Sequence, residues 1–216
     1  MSEEYIMPVL GGIVAYLLGS VSSSVWIGRI FYNIDVRQKG SGNAGATNTI
    51  RVLGLKAGII VLLIDAFKAW AAVKLAPFFA IPGISADGLI NYGIILGVLA
   101  VVGHVFPLYT GFKGGEGVAS LVGMIIALLP YAFLAILAWF VLVFIIFRFV
   151  SLASITSAIL FPFLVIFIFK ETSVSLMVLA TLIAIFVPLT HHKNIKRLMK
   201  GEELKMSFAK KKDNIS

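Results

Sequence analysis

The feature that most constrains this chain is a succession of long apolar stretches separated by short polar segments. They run from Met7 to Tyr32, Leu55 to Ile81, Leu89 to Tyr109, Val118 to Phe147, Ser151 to Phe169 and Thr172 to Thr190. A hydrocarbon core about 30 Å thick is crossed by about 20 apolar residues of helix, so stretches of this length read as spans and leave no room for a separate soluble domain. Charged residues make up 13% of the 216, where an ordinary soluble domain carries roughly 25%. A water-soluble globule is excluded. The expected fold is an all-α integral membrane protein, a single domain over residues 1–216.

The fourth stretch is the longest and holds Pro130, so it is either one tilted helix or two shorter ones meeting at Leu129 and Pro130. Parity chooses between them. The first loop carries Arg37, Lys39, Arg51 and Lys56 against one acid, Asp35. The segment after Thr190 carries Lys193, Lys196, Arg197, Lys200, Lys205 and the run Lys210-Lys211-Lys212. The positive-inside rule places both on the cytoplasmic side, which requires an even number of crossings between them. Splitting at Pro130 supplies it. Seven transmembrane helices are expected, with the N-terminus outside, the C-terminus cytoplasmic, residues 193–216 as a basic cytoplasmic tail, and the 118–129 piece unusually short. Glu3 and Glu4 precede the first run without a basic segment or cleavage pattern, so that run is expected to be retained.

There is no cysteine, which removes disulfides, thiolate metal ligands and sulfur redox chemistry. A net charge of +8 admits nucleic acid, but the basic residues gather beside a hydrophobic span, which suits an anionic membrane surface and argues against a nucleic-acid partner. Three histidines without a nearby carboxylate pattern are poor support for zinc, so no metal and no cofactor are expected. On the third span Gly93, Gly97, Ala100 and His104 share one face, the pattern of close helix packing through small residues.

Polar residues concentrate in three islands. The first, Gly40-Ser41-Gly42-Asn43-Ala44-Gly45-Ala46-Thr47-Asn48-Thr49-Ile50-Arg51, joins glycines, which allow backbone N–H groups to converge on an anion, with a helix start that favours negative charge. Taken alone it also fits a flexible loop. The second, His104 to Gly117, includes Lys113-Gly114-Gly115, which offers an ammonium and backbone donors to a phosphate. It lacks the G-x-x-x-x-G-K-[ST] order of a nucleotide-hydrolysing loop. The third runs from His191 to Glu203, with His191 and Asn194 three apart and so on one helix face. Inside the second span, Asp65 and Lys68 either form a structural ion pair or turn Lys68 toward a site. Ser22, Ser23 and Ser24 are expected to bond back to their own helix. All three islands are expected at the cytoplasmic face, where they supply many donors and few acids, as an anionic substrate with more than one phosphate-like group requires. An organic-anion transporter is the competing class. Such sites lie near the membrane midplane between repeats, and no internal repeat is present here. A non-catalytic scaffold binding acidic lipid is a third reading.

In order and spacing, these three islands resemble the three motifs of the bacterial acyl-phosphate:glycerol-3-phosphate acyltransferases, the PlsY family, and the similarity extends through Asp65, Lys68 and Ser151-Leu152-Ala153-Ser154-Ile155. The resemblance implies a seven-helix enzyme of the bacterial inner membrane with its site facing the cytoplasm. Such an enzyme transfers a fatty acyl group from acyl phosphate to the 1-hydroxyl of glycerol 3-phosphate, releasing lysophosphatidate and phosphate. The implied partners are those two substrates and membrane lipids, with no obligate protein partner. Carried over by position, Ser41, Asn43, Arg51, His191 and Asn194 are the implied catalytic residues. Gly40, Gly42, Asn48, Lys68, His104, Lys113, Gly114, Gly115 and Ser154 are the implied substrate- and phosphate-binding residues. The second motif usually reads Lys-Gly-Gly-Lys-Gly, and here Glu116 stands at the second lysine, while Ser120 stands where the family has threonine. An acyl phosphate is already activated, so direct transfer needs chiefly orientation and charge stabilisation. The proton of the attacking hydroxyl has three candidate acceptors: His191, His104 and an oxygen of the acyl phosphate.

Overall fold

Backbone groups in hydrocarbon have no water to bond, and this chain answers with helix almost throughout. The computed structural model describes Glu4 and residues 6–206, and no strand occurs among them. Glu3 and the Lys210-Lys211-Lys212 run of the expected basic tail lie outside the described residues. The helices in chain order are α1 (Ile6–Gly19), α2 (Ser23–Tyr32), α3 (Ala46–Leu53), α4 (Leu55–Lys74), α5 (Ala76–Phe79), α6 (Ala86–Val105), α7 (Val118–Leu128), α8 (Pro130–Phe147), α9 (Val150–Phe163), α10 (Val174–Thr190) and α11 (His192–Met199).

Pro130 divides the fourth apolar stretch as its chemistry requires. A proline inside a helix removes a donor and clashes one turn back, so α7 stops at Leu128 after 11 residues and α8 starts with Pro130 in its first turn. By length and composition, the segments Ala86–Thr110, Pro130–Phe147 and Val150–Ile168 are each long and apolar enough to cross a membrane. The total rises to five if each of two bent pairs is one span: α1 with α2, bent by 43°, and α10 with α11, bent by 62°. The 20 residues of α4 include Lys56, Asp65, Lys68 and Lys74, charge that an isolated span does not tolerate and that needs partners inside the bundle.

Small residues bring these helices together. A Cβ at Gly103 of α6 would overlap the Tyr16 carbonyl of α1, and one at Gly123 of α7 would overlap the Ala66 carbonyl of α4. On the face of α6 expected to pack through small residues, Gly97 gives its room to Met124 and Val73. Outward, α8 exposes Leu142, Ile145 and Ile146, side chains that suit lipid. Polarity is turned inward: Asp65, Lys68 and His104 are all buried.

Candidate active site

The break between α1 and α2 is the first element of the site. Ser20, Val21 and Ser22 interrupt the helix, and the freed Val21 carbonyl accepts a hydrogen bond from Lys68 Nζ at 2.7 Å. The same ammonium pairs with Asp65 Oδ1 at 2.8 Å and meets His104 Nδ1 at 3.0 Å. An ammonium has three donors and no acceptor, so its three partners are a carbonyl, a carboxylate and an imidazole lone pair. That assignment leaves the His104 proton on Nε2, the nitrogen facing Gly115, where a Cβ would collide with it. Asp65 and Lys68 thus form a structural pair and, through His104, also reach the cavity described below. The serines at the break depart from expectation. Ser22 meets Thr110 Oγ1 at 2.8 Å, Ser23 donates to Asp65 Oδ1 at 2.9 Å, and Ser24 donates to the Ala44 carbonyl at 2.7 Å. The helix ends at Gly19, so Ser22 keeps only a long local bond, to the Ser20 carbonyl at 3.5 Å, and all three hydroxyls reach across to other elements.

Asn48 ties the first polar island into shape. Its Oδ1 accepts from the Ser41 N–H at 2.8 Å, and its Nδ2 lies 2.8, 3.1 and 3.0 Å from the carbonyls of Val36, Lys39 and Asn43. Gly40 has φ +63° and would drive a Cβ into Asn48 Oδ1, so only glycine fits this turn. On the loop's outer side the Arg37 guanidinium grips Asp35 and holds its carboxyl well below the usual carboxylate range. Arg37 also donates to the Thr110 carbonyl at 2.9 Å, joining the first island to the second.

The second and third islands meet at Glu116 and His191. His191 is buried at the bend between α10 and α11, and its Nδ1 donates to the Val187 carbonyl at 2.9 Å. Its Nε2 lies 3.1 Å from Glu116 Oε2. Because Nδ1 holds its proton against a carbonyl, this contact needs a second proton on either Nε2 or the carboxyl. Burial lifts the Glu116 carboxyl to about 7, and burial also lowers His191. Both shifts favour an uncharged acid donating to an uncharged imidazole. Close by, Glu203 receives Ser151 Oγ at 2.8 Å, Asn194 Nδ2 at 3.0 Å and Arg197 Nε at 2.6 Å. Burial opposes that carboxylate, but these donors outweigh it and hold Glu203 below its ordinary value. Residues 201–206 form a strap, secured also by Arg51 Nη2 donating to the Leu204 carbonyl at 2.9 Å and by the Met206 N–H donating to the Arg148 carbonyl at 2.9 Å.

These groups surround one cavity of about 520 Å³. Its lining joins polar residues, among them Ser41, Asn43, Arg51, His104, Glu116, Ser154, His191, Asn194 and Glu203, to apolar ones that include Ile125, Phe133, Ile136, Phe140, Phe144 and Phe161. Among the described residues, the buried side-chain polar atoms without a hydrogen-bond partner are Asn43 Oδ1, Arg51 Nε, Asp65 Oδ2, Ser157 Oγ and Asn194 Oδ1. All five residues line this cavity. An unpaired buried polar atom costs about 1–3 kcal/mol, and a fold that concentrates all of them in one place is prepared for a polar ligand there. Burial also depresses the Arg51 guanidinium, with Glu203 opposing the shift.

Of the residues expected at the site, Ser41, Asn43, Asn48, Arg51, His104, Ser154, His191 and Asn194 line the cavity. Lys68 stands behind His104. Gly114 and Gly115 spend their N–H groups on the carbonyls of Val105 and His104, at 3.1 and 3.2 Å, closing the end of α6. Gly40 and Gly42 shape the first loop at positive φ. Lys113 is exposed and outside the cavity wall, its carbonyl accepting from Arg37 at 3.3 Å. The site residues expected from sequence did not include Asp65, Glu116, Ser151, Ser157 or Glu203, which also line the cavity. The available signal for Glu203 was a carboxylate amid a basic segment, which marks a charge that needs specific partners. Among the described residues, no group of three or more histidine or carboxylate side chains is placed to hold a metal ion.

A family model for glycerol-3-phosphate acyltransferase matches residues 9–201. The chain is 38% identical to a glycerol-3-phosphate acyltransferase of Chlorobaculum tepidum, over 92% of this chain and 96% of that protein. It is 41% identical to one of Fusobacterium nucleatum, over 91% and 96%. Its fold is similar to the crystal structure of PlsY, an integral membrane glycerol 3-phosphate acyltransferase, in the glycerol 3-phosphate form, with a TM-score of 0.81 and 34% identity over 93% of this chain and 96% of that one. The lysophosphatidic acid form matches with a TM-score of 0.78 at 32% identity over the same shares.

Proposed function

Since the chain belongs to the glycerol-3-phosphate acyltransferase family and is a membrane enzyme of that class, we propose that its acyl donor is an acyl phosphate and its acceptor the 1-hydroxyl of glycerol 3-phosphate. The products are then lysophosphatidate and phosphate, the first acylation of phospholipid synthesis. The observation that carries this reading is the cavity, whose lining joins apolar side chains that suit an acyl chain to every unpartnered buried side-chain polar atom of the described residues.

Transfer from an activated mixed anhydride asks the protein for position and for charge stabilisation where the phosphate departs. Arg51 is the cation in the cavity wall and takes the phosphate role, and the His104 Nε2–H adds a donor. Ser41, Asn43 and Ser154 orient the glycerol, while Asn194 and His191 complete the polar lining. Gly40, Gly42, Asn48, Lys68, Gly114 and Gly115 act by holding these groups in place, and Lys113 serves at the exposed rim as a first contact for an anion.

On this reading the protein is a multi-pass component of a bacterial inner membrane whose polar loops and cavity mouth face the cytoplasm. Seven crossings correspond to α1 with α2, then α4, α6, α7, α8, α9 and α10, and put the N-terminus outside. Reporter tags near Pro130 and after the last helix test this, and a C-terminus found outside would overturn it. For the chemistry, purified protein is mixed with acyl phosphate and glycerol 3-phosphate, with release of phosphate and lysophosphatidate expected. Turnover with acyl-CoA and none with acyl phosphate would sink the donor assignment.

A further inference from the structure

An imidazole nitrogen and a carboxyl oxygen 3.1 Å apart, as His191 Nε2 and Glu116 Oε2 are, either share a proton or repel one another. The ring's own proton is already spent. The Thr190 hydroxyl donates to the Val187 carbonyl at 3.0 Å, so toward His191 Nδ1, 3.2 Å away, it presents a lone pair, as the carbonyl does at 2.9 Å. Nδ1 is therefore a donor, and the contact with Glu116 is complete only when the pair holds one proton more. With it the pair is neutral in sum, whichever atom carries the proton. Without it the pair carries one negative charge in the cavity wall that it shares with Arg51.

That charge decides how the cavity receives an anion. Arg51 keeps its buried Nε unpaired, a donor free for an oxyanion. An ionised Glu116 repels the oxyanion and competes with it for Arg51, whereas the loaded pair leaves Arg51 to the ligand. The charged and titratable groups facing Glu116 are His191 at the end of α10, Arg51 on α3, Arg197 on α11 and Glu203 on the strap. On α6, His104 lies beside the adjoining Gly115, with Lys68 and Asp65 of α4 behind it. Arg197 and Glu203 are spent on one another at 2.6 Å, so Arg51 and the pair set the charge that a ligand meets.

We propose that the Glu116–His191 pair is a proton-binding part of the phosphate site, so that glycerol 3-phosphate enters with one proton from solution whenever the pair is ionised. The inference rests on the acceptor proposed above and adds the condition on which the site takes it. No bond of the substrate changes: the proton adds to the Glu116 carboxylate and is shared with His191 Nε2. Burial brings this carboxyl to about 7, and a neighbouring anion raises it further, so the coupling falls near neutral pH.

Titration calorimetry in detergent micelles, run in two buffers of different ionisation heat, counts the protons taken up as glycerol 3-phosphate binds. The wild type should take up almost none at about pH 6 and close to one at about pH 8, with Kd rising about tenfold per pH unit above 7. Glutamine keeps a donor toward His191 and does not titrate. Glu116→Gln should therefore bind as the wild type does at about pH 6 and lose the rise, leaving only the ligand's own ionisation near about 6. Inorganic sulfate, which does not titrate in this range, should show the same uptake with wild-type protein alone. Sulfate or glycerol 3-phosphate bound at about pH 8 without proton uptake, the same pH dependence in Glu116→Gln, or no binding of either anion at any pH would overturn the pair's role. Uptake that follows the expected course in a protein that transfers no acyl group from any donor would leave the pair in place and overturn the acyl-transfer reading.

Discussion

Replacing Lys68 with methionine keeps the stem and removes the ammonium from three partners at once: the Val21 carbonyl at 2.7 Å, Asp65 Oδ1 at 2.8 Å and His104 Nδ1 at 3.0 Å. Asp65, 1% exposed, then keeps Ser23 Oγ at 2.9 Å as a donor and loses its cation. Breaking one side of a buried pair costs about 3–5 kcal/mol, and an orphaned carbonyl adds at least about 1 kcal/mol. In a chain of this length each kcal/mol lowers Tm by about 2–4 °C, so a drop of roughly 10–20 °C is expected. Removing both charges in Asp65→Asn/Lys68→Met should recover much of that loss, since no buried charge is then left alone. Tryptophan fluorescence during heating in detergent micelles reads all the variants. A Lys68→Met protein as stable as wild type, or a double variant whose loss is the sum of the two single losses, would refute the reasoning.

Other outcomes follow from the same geometry. Arg51→Ala removes the cation of the cavity wall and should lower kcat/KM for glycerol 3-phosphate by about 10²–10³-fold, with Arg51→Lys intermediate; steady-state kinetics decides it. Glu203→Ala strips the strap of its bonds to Ser151, Asn194 and Arg197, so limited proteolysis followed by mass spectrometry should find faster cleavage after Met199, and an unchanged rate would contradict the anchoring. Glu116 in the fold binds its proton more tightly than the ordinary 4.5, up to about 7, so its contribution to stability is full below 4.5 and fades as pH climbs to about 7. Tm of the wild type should therefore fall relative to Glu116→Gln across that window, and parallel curves would show that Glu116 is not held as an acid.

Local chemistry made some of this legible in the sequence. Pro130 announces its own break, because the missing donor and the ring clash act within one turn, and α7 and α8 separate where the proline stands. The three polar islands meet because bare polar loops in so apolar a chain have only one another for company. What stayed hidden depends on partners distant in sequence. Ser22, Ser23 and Ser24 look like hydroxyls that bond their own helix, and nothing local reveals that the helix ends at Gly19. Lys113 reads as a phosphate ligand from its glycine neighbours, yet Gly114 and Gly115 fold back on α6 and leave it outside the cavity wall. Glu116 is visible as an odd residue in its motif, but its meaning comes from His191 Nε2, 75 positions away and 3.1 Å distant.

The bond from Lys68 to Val21 also bears on how the protein is built. A helix that stops at Gly19 bares the Val21 carbonyl beyond it, and α4 on its own carries Asp65 and Lys68 in its middle, groups that lipid does not satisfy. Neither segment is a good passenger alone, and each becomes acceptable when the 2.7 Å hydrogen bond joins them. The two helices are thereby bound as one polar-sealed unit within the bundle, each hiding from its surroundings what the other would leave bare.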